Sequence, residues 1–126
     1  MTQKTKNIIG WVLTGLLGFV FIASATMKLI GGEEALKGAA AMGLSAGVVT
    51  LLGIVEMLSI ILFIFPRTGL LGTLLLAAYL GGAIATHVVH QQPVTVPMVL
   101  QIVLWITAVI RFGELSKRLA GNHAIA

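Results

Sequence analysis

A chain of 126 residues that is 58% hydrophobic and only 10% charged is not a soluble domain. Soluble domains carry about 25% charged residues, and one this small has too much surface for its volume to bury so much apolar side chain; with a mean hydropathy of +1.06, the solvent is lipid and residues 1–126 read as a single membrane domain. The net charge of +4 marks no nucleic-acid surface, because the basic residues flank apolar runs, and the absence of cysteine excludes disulfides, dithiol exchange by this chain alone and thiolate metal sites.

About 20 residues of helix cross a bilayer, and four apolar runs approach that length. The first is 8–30. Lys4 and Lys6 ahead of it, with Ala23-Ser24-Ala25 inside it, imitate a secretory leader and its small-residue cleavage site. The run is long for a leader, however, and Met27-Lys28-Leu29-Ile30 continues it without a break, so it reads as a retained helix. Segment 31–45 holds Glu33, Glu34 and Lys37 and then a run of small residues, as expected of a short interfacial helix or a re-entrant approach to the next span. The second span is 46–65 and ends at Pro66, which disfavours helix both at itself and at the residue before it. The third, 69–89, is followed by the loop His90-Gln91-Gln92-Pro93, and the fourth is 96–112. The tail 113–126, including His123, is polar enough to leave the membrane.

The connections between the last three spans are short, so an all-α, integral-membrane, four-helix up-down bundle is the simplest architecture. Glycines in the spans permit close helix approach. Lys4, Lys6, Arg67, Arg111, Lys117 and Arg118 fall on one side, and Lys28 and Lys37 on the other. The excess places both termini in the cytoplasm, in a multi-pass protein of a bacterial inner (plasma) membrane.

Helical spacing marks an inward stripe on each span: Thr14, Leu17, Phe21, Ser24 and Lys28; Leu52, Glu56, Ser59 and Phe63; Tyr79, Ala83, Thr86, His87 and His90; and Met98, Gln101 and Trp105. Glu56 is the sharpest feature, a lone charge in LLGIVEMLSIILFIF. An acidic residue at a span's centre costs roughly 2.5–3.5 kcal/mol, which a partner, a proton or water must offset. At ~1.5 Å per residue, Lys28 and His87 sit about 30 and 27 Å from the inner ends of their helices, and Glu56 about 15 Å below the outer end of its own. The expected shape is a polar funnel with Lys28 and His87 at the rim, Gln101 partway down and Glu56 at the bottom.

Each residue carries two readings. Glu56 is either a register-fixing group or a site for proton transfer. Lys28 either snorkels outward or turns in toward Glu56, directly or through a water or ligand. His87 is either a capped interfacial imidazole or a relay and ligand donor. Tyr79 and Gln101 suit inter-helix hydrogen bonds or ligand contact, and Trp105 suits packing. His87 and His90 lie three apart, yet no third ligand of the right type is evident, so no metal is expected.

Ala25-Thr26-Met27-Lys28-Leu29, then a glycine-containing loop, Gly53-Ile54-Val55-Glu56, Phe65-Pro66-Arg67, and Gly82-Ala83-Ile84-Ala85-Thr86-His87 together resemble the DoxX-like family of small four-helix membrane proteins, across roughly 10–112. The family is named after a subunit of a membrane thiosulfate:quinone oxidoreductase, other members are linked to oxidoreductase complexes, and distant eukaryotic relatives look like assembly chaperones. Three functional readings stay open. The first is a protein of a membrane redox system that binds a small lipophilic molecule such as a quinone, with Glu56 and His87 as candidate catalytic residues and Lys28, Glu56, His87, Gln101 and Tyr79 as candidate ligand contacts. It carries no covalent cofactor, and a partner protein supplies the electrons, since nothing in the chain holds a flavin or cluster. The second is a non-catalytic membrane subunit or assembly chaperone whose buried polar groups fix the bundle. The third is a small proton-coupled transporter, which four helices without a repeat would need oligomers to build. The expected partners are the lipid bilayer, that electron donor and further copies of the chain, with no nucleic acid.

Overall fold

The computed structural model describes residues 2–121, and His123 lies outside them. All regular elements among these residues are helices: α1 Gln3–Ile30, α2 Glu33–Ala41, α3 Ala46–Ile64, α4 Gly69–Val89, α5 Thr95–Arg111 and α6 Gly113–Leu119. Helices α1, α3 and α4 are each long and apolar enough to cross a membrane. Helix α5 reaches that length only together with α6, which is bent 109° from it, so the described residues hold three such helices or four if that pair counts as one.

The boundaries follow local chemistry. Helix α1 begins at Gln3 and not at residue 8, because Thr2 caps it by accepting a hydrogen bond from the Thr5 backbone N–H, and the polar first turn is helical ahead of the apolar run. Ser45 caps α3 in the same way through the Val48 N–H, as hydroxyl N-caps do. Helix α3 stops at Ile64, one residue short of the expected end, ahead of Pro66. Helix α4 keeps the predicted bounds, and α5 starts and ends one residue early. The expected polar tail begins with a helix: Gly113–Leu119 forms about two turns in which Leu115 and Ser116 are half-buried while Glu114, Lys117 and Arg118 are exposed.

Helix α1 packs on α3 and α5, and α4 packs on the same two, so the four long helices close around one core. That core is Leu17, Phe21, Ile60, Phe63, Leu76, Leu80 and Leu104. The buried faces repeat at three and four residues, as on α1 with Gly10, Thr14, Leu17, Gly18, Phe21 and Ala25. Met98 is a correction to the expected stripe. It is 43% exposed, because the inner face of α5 runs through Pro97, Leu104, Thr107 and Ala108, which rotates Met98 outward. The buried hydroxyls of Thr14, Ser59, Thr73 and Thr107 do not reach across to neighbouring helices. Each donates to the carbonyl four residues earlier in its own helix, at 2.6–2.8 Å, which satisfies it locally.

The α3–α4 turn is the tightest approach in the fold. A Cβ on Gly72 would lie 2.2 Å from the Phe63 nitrogen and 2.5 Å from its Cα. Only glycine lets the two backbones meet there, the device by which helices associate closely in lipid. Gly72→Ala is therefore expected to prise the hairpin apart and cost about 1–3 kcal/mol, the range for overpacking a tight interior. Gly81→Ala is the control, since a Cβ there meets nothing within 4 Å. Thermal unfolding of the two variants in mild detergent checks this.

Candidate functional site

At the end of the bundle that carries Lys28, the helices do not close on one another. A cavity of about 690 Å³ lies between α1, α3 and α4, with α2 laid across it. The volume is in the range of small-molecule sites. Its walls are mostly apolar: Met27 from α1, Val49, Leu52 and Val55 from α3, and Ala78 and Ala83 from α4. Helix α2 contributes Ala35, Gly38, Ala39 and Met42, a face of mainly small side chains. Its charged residues Glu33, Glu34 and Lys37 are exposed and outside the lining. The expected interfacial segment is thus a helix, and it is also a wall of the cavity.

The polar groups of the cavity come from two helices, Ser24 and Lys28 from α1 and Tyr79, Thr86 and His87 from α4. Lys28 turns inward. Its Nζ donates to Ser24 Oγ at 2.7 Å and lies 3.4 Å from Glu56 Oε1, while Ser24 Oγ donates to Glu56 Oε2 at 3.3 Å. The Lys28 side chain is 25% exposed and that of Glu56 only 3%. The ammonium also stands 5.9 Å from the centroid of the Tyr79 ring, within reach of a cation–π attraction. The partner that an intramembrane carboxylate needs is therefore Lys28, with Ser24 as the bridge.

This corrects the funnel. Lys28 and Glu56 are in contact, not separated by half the span. Helical side chains lean toward the N-terminus of their helix and cover the turn before their own Cα. In α1 that direction runs from Lys28 toward Ser24, into the bundle. A depth taken from Cα positions misses the reach of a lysine.

His87 lines the cavity, and its Nδ1 lies 2.6 Å from the Ala83 carbonyl. A carbonyl only accepts, so Nδ1 carries the proton and Nε2 of the neutral ring is left as an acceptor. His90 is not part of the inward stripe. It is exposed, its Nδ1 meets the Thr86 carbonyl at 3.0 Å, and its ring covers Gly43. A Cβ on Gly43 would sit 2.8 Å from His90 Nε2, and Gly43 holds φ +73°, so glycine is required there twice over.

The remaining candidates fall outside the lining. Glu56 lies behind Lys28. Gln101 donates from Nε2 to the Ala77 carbonyl at 3.2 Å, and its buried Oε1 has no partner. Sequence reasoning put Ser24 on the inner face but missed its role between lysine and glutamate. The signal was there, a hydroxyl four residues before a lysine on one helical face. Chemically, the site offers an apolar body, one ammonium hydrogen beyond the two already engaged, and one imidazole acceptor.

The family model described as the DoxX-like family matches residues 12–110, which takes in Ser24, Lys28, Glu56, Tyr79, His87 and Gln101. No curated protein matches the chain, and no solved structure does. The matched span covers every cavity-lining residue, from the third turn of α1 almost to the end of α5: the chain belongs to the DoxX-like family.

Proposed function

We propose that this multi-pass membrane protein binds a small lipophilic molecule such as a quinone in the cavity walled by α2, and that it serves a membrane redox system whose electron donor is a partner protein. The observation that carries this reading is the cavity itself: a volume suited to a small molecule, apolar walls, and polar contacts confined to Lys28, Thr86, His87, Tyr79 and Ser24. A carbonyl on the ligand accepts from Lys28, and a hydroxyl, as in a quinol, donates to His87 Nε2. Glu56 holds the charge of Lys28 and stands ready to exchange a proton through Ser24, which touches both. In this reading the four long helices run up and down with both termini cytoplasmic, in a bacterial inner membrane. The cavity then opens on the outer side, and homo-oligomers form through the lipid-facing surface.

The same observations favour binding over proton-coupled transport. Leu17, Phe21, Ile60, Phe63, Leu76, Leu80 and Leu104 are all at most 2% exposed and form one packed layer on the side away from the cavity. A site sealed on one side by packed hydrocarbon suits a ligand that enters and leaves by one mouth. The non-catalytic reading keeps one observation of its own. The Lys28–Glu56 pair ties α1 to α3 with or without a ligand, as a structural clamp would.

Extraction and mass spectrometry of protein purified in mild detergent separate the two. The expected result is a stoichiometric lipophile that Ala83→Phe displaces about 10-fold or more by filling the cavity, with thermal stability retained. Protein that is empty in both forms favours the clamp.

A further inference from the structure

Among the described residues, the only formal charge that lines the cavity is Lys28, and its counter-charge does not line it. Glu56 stands directly behind, 3.4 Å from the ammonium and 3% exposed. From this arrangement we infer that Glu56 is the specificity-determining residue of the cavity: it cancels the charge of Lys28 and restricts the site to uncharged lipophiles, excluding amphiphilic acids. The inference rests on the ligand-binding reading above and adds to it the class of ligand that is accepted.

The selection is electrostatic. Lys28 is a fixed cation at the edge of an apolar cavity, and alone it would recruit a fatty acid or any other anionic amphiphile. Paired with Glu56 it is half of a neutral unit. A ligand carboxylate that approached the ammonium would bring a second negative charge beside the first, with little water to screen them. Nor does the lining offer a second permanent cation: His87 has its Nδ1 engaged with the Ala83 carbonyl, and the remaining lining residues are not ionic. Lys37 of α2 is exposed and not part of the wall. An uncharged carbonyl, by contrast, accepts the spare ammonium hydrogen and leaves the Lys28–Ser24–Glu56 arrangement intact. Glu56 acts here through Lys28, so it positions charge and does not touch the ligand.

The test uses full-length protein in lipid nanodiscs, with empty nanodiscs subtracted, and two fluorescent probes that differ only at the head: dansylaminoundecanoic acid and its methyl ester. At about pH 9 a fatty acid is ionised and a lysine still charged. The wild type is expected to bind the ester at least about 10-fold more tightly than the acid. Glu56→Gln, which uncovers the cation, is expected to reverse that order. The double variant Lys28→Gln/Glu56→Gln, neutral again, is expected to restore it, a result that a purely structural role for Glu56 does not produce. Equal binding of the two probes by the wild type overturns the charge rule without any variant having to fold. A Glu56→Gln protein that binds the ester and keeps the wild-type order overturns it as well. Failure of the wild type to bind either probe overturns the ligand-binding reading and the charge rule together, a result distinct from binding without discrimination.

Discussion

Lys28→Ala is expected to cost the bundle about 3–5 kcal/mol, the penalty for breaking a buried ion pair by removing one partner. The loss is not that of a favourable contact alone. Glu56 is 3% exposed and sits among apolar side chains in the middle of α3, so without the ammonium its charge keeps the Ser24 hydroxyl as a donor but loses its positive partner. Exposed ion pairs are worth at most about 1 kcal/mol, and Lys28 at 25% exposure would look modest by that standard. The buried partner sets the scale here. The companion prediction separates pairing from packing. The double variant Lys28→Met/Glu56→Leu removes both charges and keeps hydrocarbon in their place. It is expected to return to wild-type stability or exceed it by up to about 4 kcal/mol, with Ser24 free to bond back to its own helix. Unfolding in mixed micelles across the two single variants and the double checks the cycle. A single variant no less stable than the double would mean that the pair contributes nothing. A stable double variant also gives a folded protein stripped of the cavity's polar anchor, in which loss of a copurified ligand can be read without loss of the fold.

The parts of this structure that were legible in the sequence are those that depend on one helix at a time. Pro66 ends α3, hydrophobic run length marks the spans, and a lone Glu56 in hydrocarbon demands a partner. Lys28, Tyr79 and His87 were all identified as inward candidates, and all three line the cavity. What failed depends on directions and on pairs. The depth of Lys28 was misplaced because Cα spacing ignores the lean of helical side chains. Met98 was placed inward because a polar Gln101 defined the stripe, whereas the packed face of α5 is set by Pro97, Leu104 and Ala108, which turn toward α1 and α4. The role of α2 as a wall was not legible at all. EEALKGAAA has the small residues of a close-packed helix, but only the turn at Gly43 under His90 lays it across the cavity mouth. Arg111 was counted as one more basic residue at a helix end, and the rest of the molecule shows it to be much more.

Arg111→Ala is expected to loosen the opposite end of the bundle by on the order of 3 kcal/mol or more, from two charge-assisted hydrogen bonds worth about 1.5–3 kcal/mol each. The reason lies in the last turn of α3. A helix leaves its final carbonyls without intrahelical partners, and in lipid each one left bare costs several kcal/mol. At α3 the accounting is complete. Phe65 N–H donates to Ile61 O, Thr68 Oγ1 to Leu62 O at 2.8 Å, Arg111 Nη1 to Phe63 O at 2.7 Å, and Arg111 Nη2 to Ile64 O at 3.2 Å. Two of those four caps come from one guanidinium on another helix. Its planar faces are used as well, since Trp11, Phe63 and Phe112 have ring centroids within 4.7–4.9 Å of it, which joins α1, α3 and the end of α5 at a single group. Arg111→Lys tests whether charge or shape matters. An ammonium is a compact point charge that cannot present two parallel N–H groups or stack on rings as a plane, so lysine is expected to recover less than half of the loss. If thermal unfolding in detergent shows Arg111→Lys equal to wild type, the charge alone suffices and the capping account fails. If Arg111→Ala is itself neutral, water reaches the end of α3, and the carbonyls of Phe63 and Ile64 lie at the membrane surface and not within it.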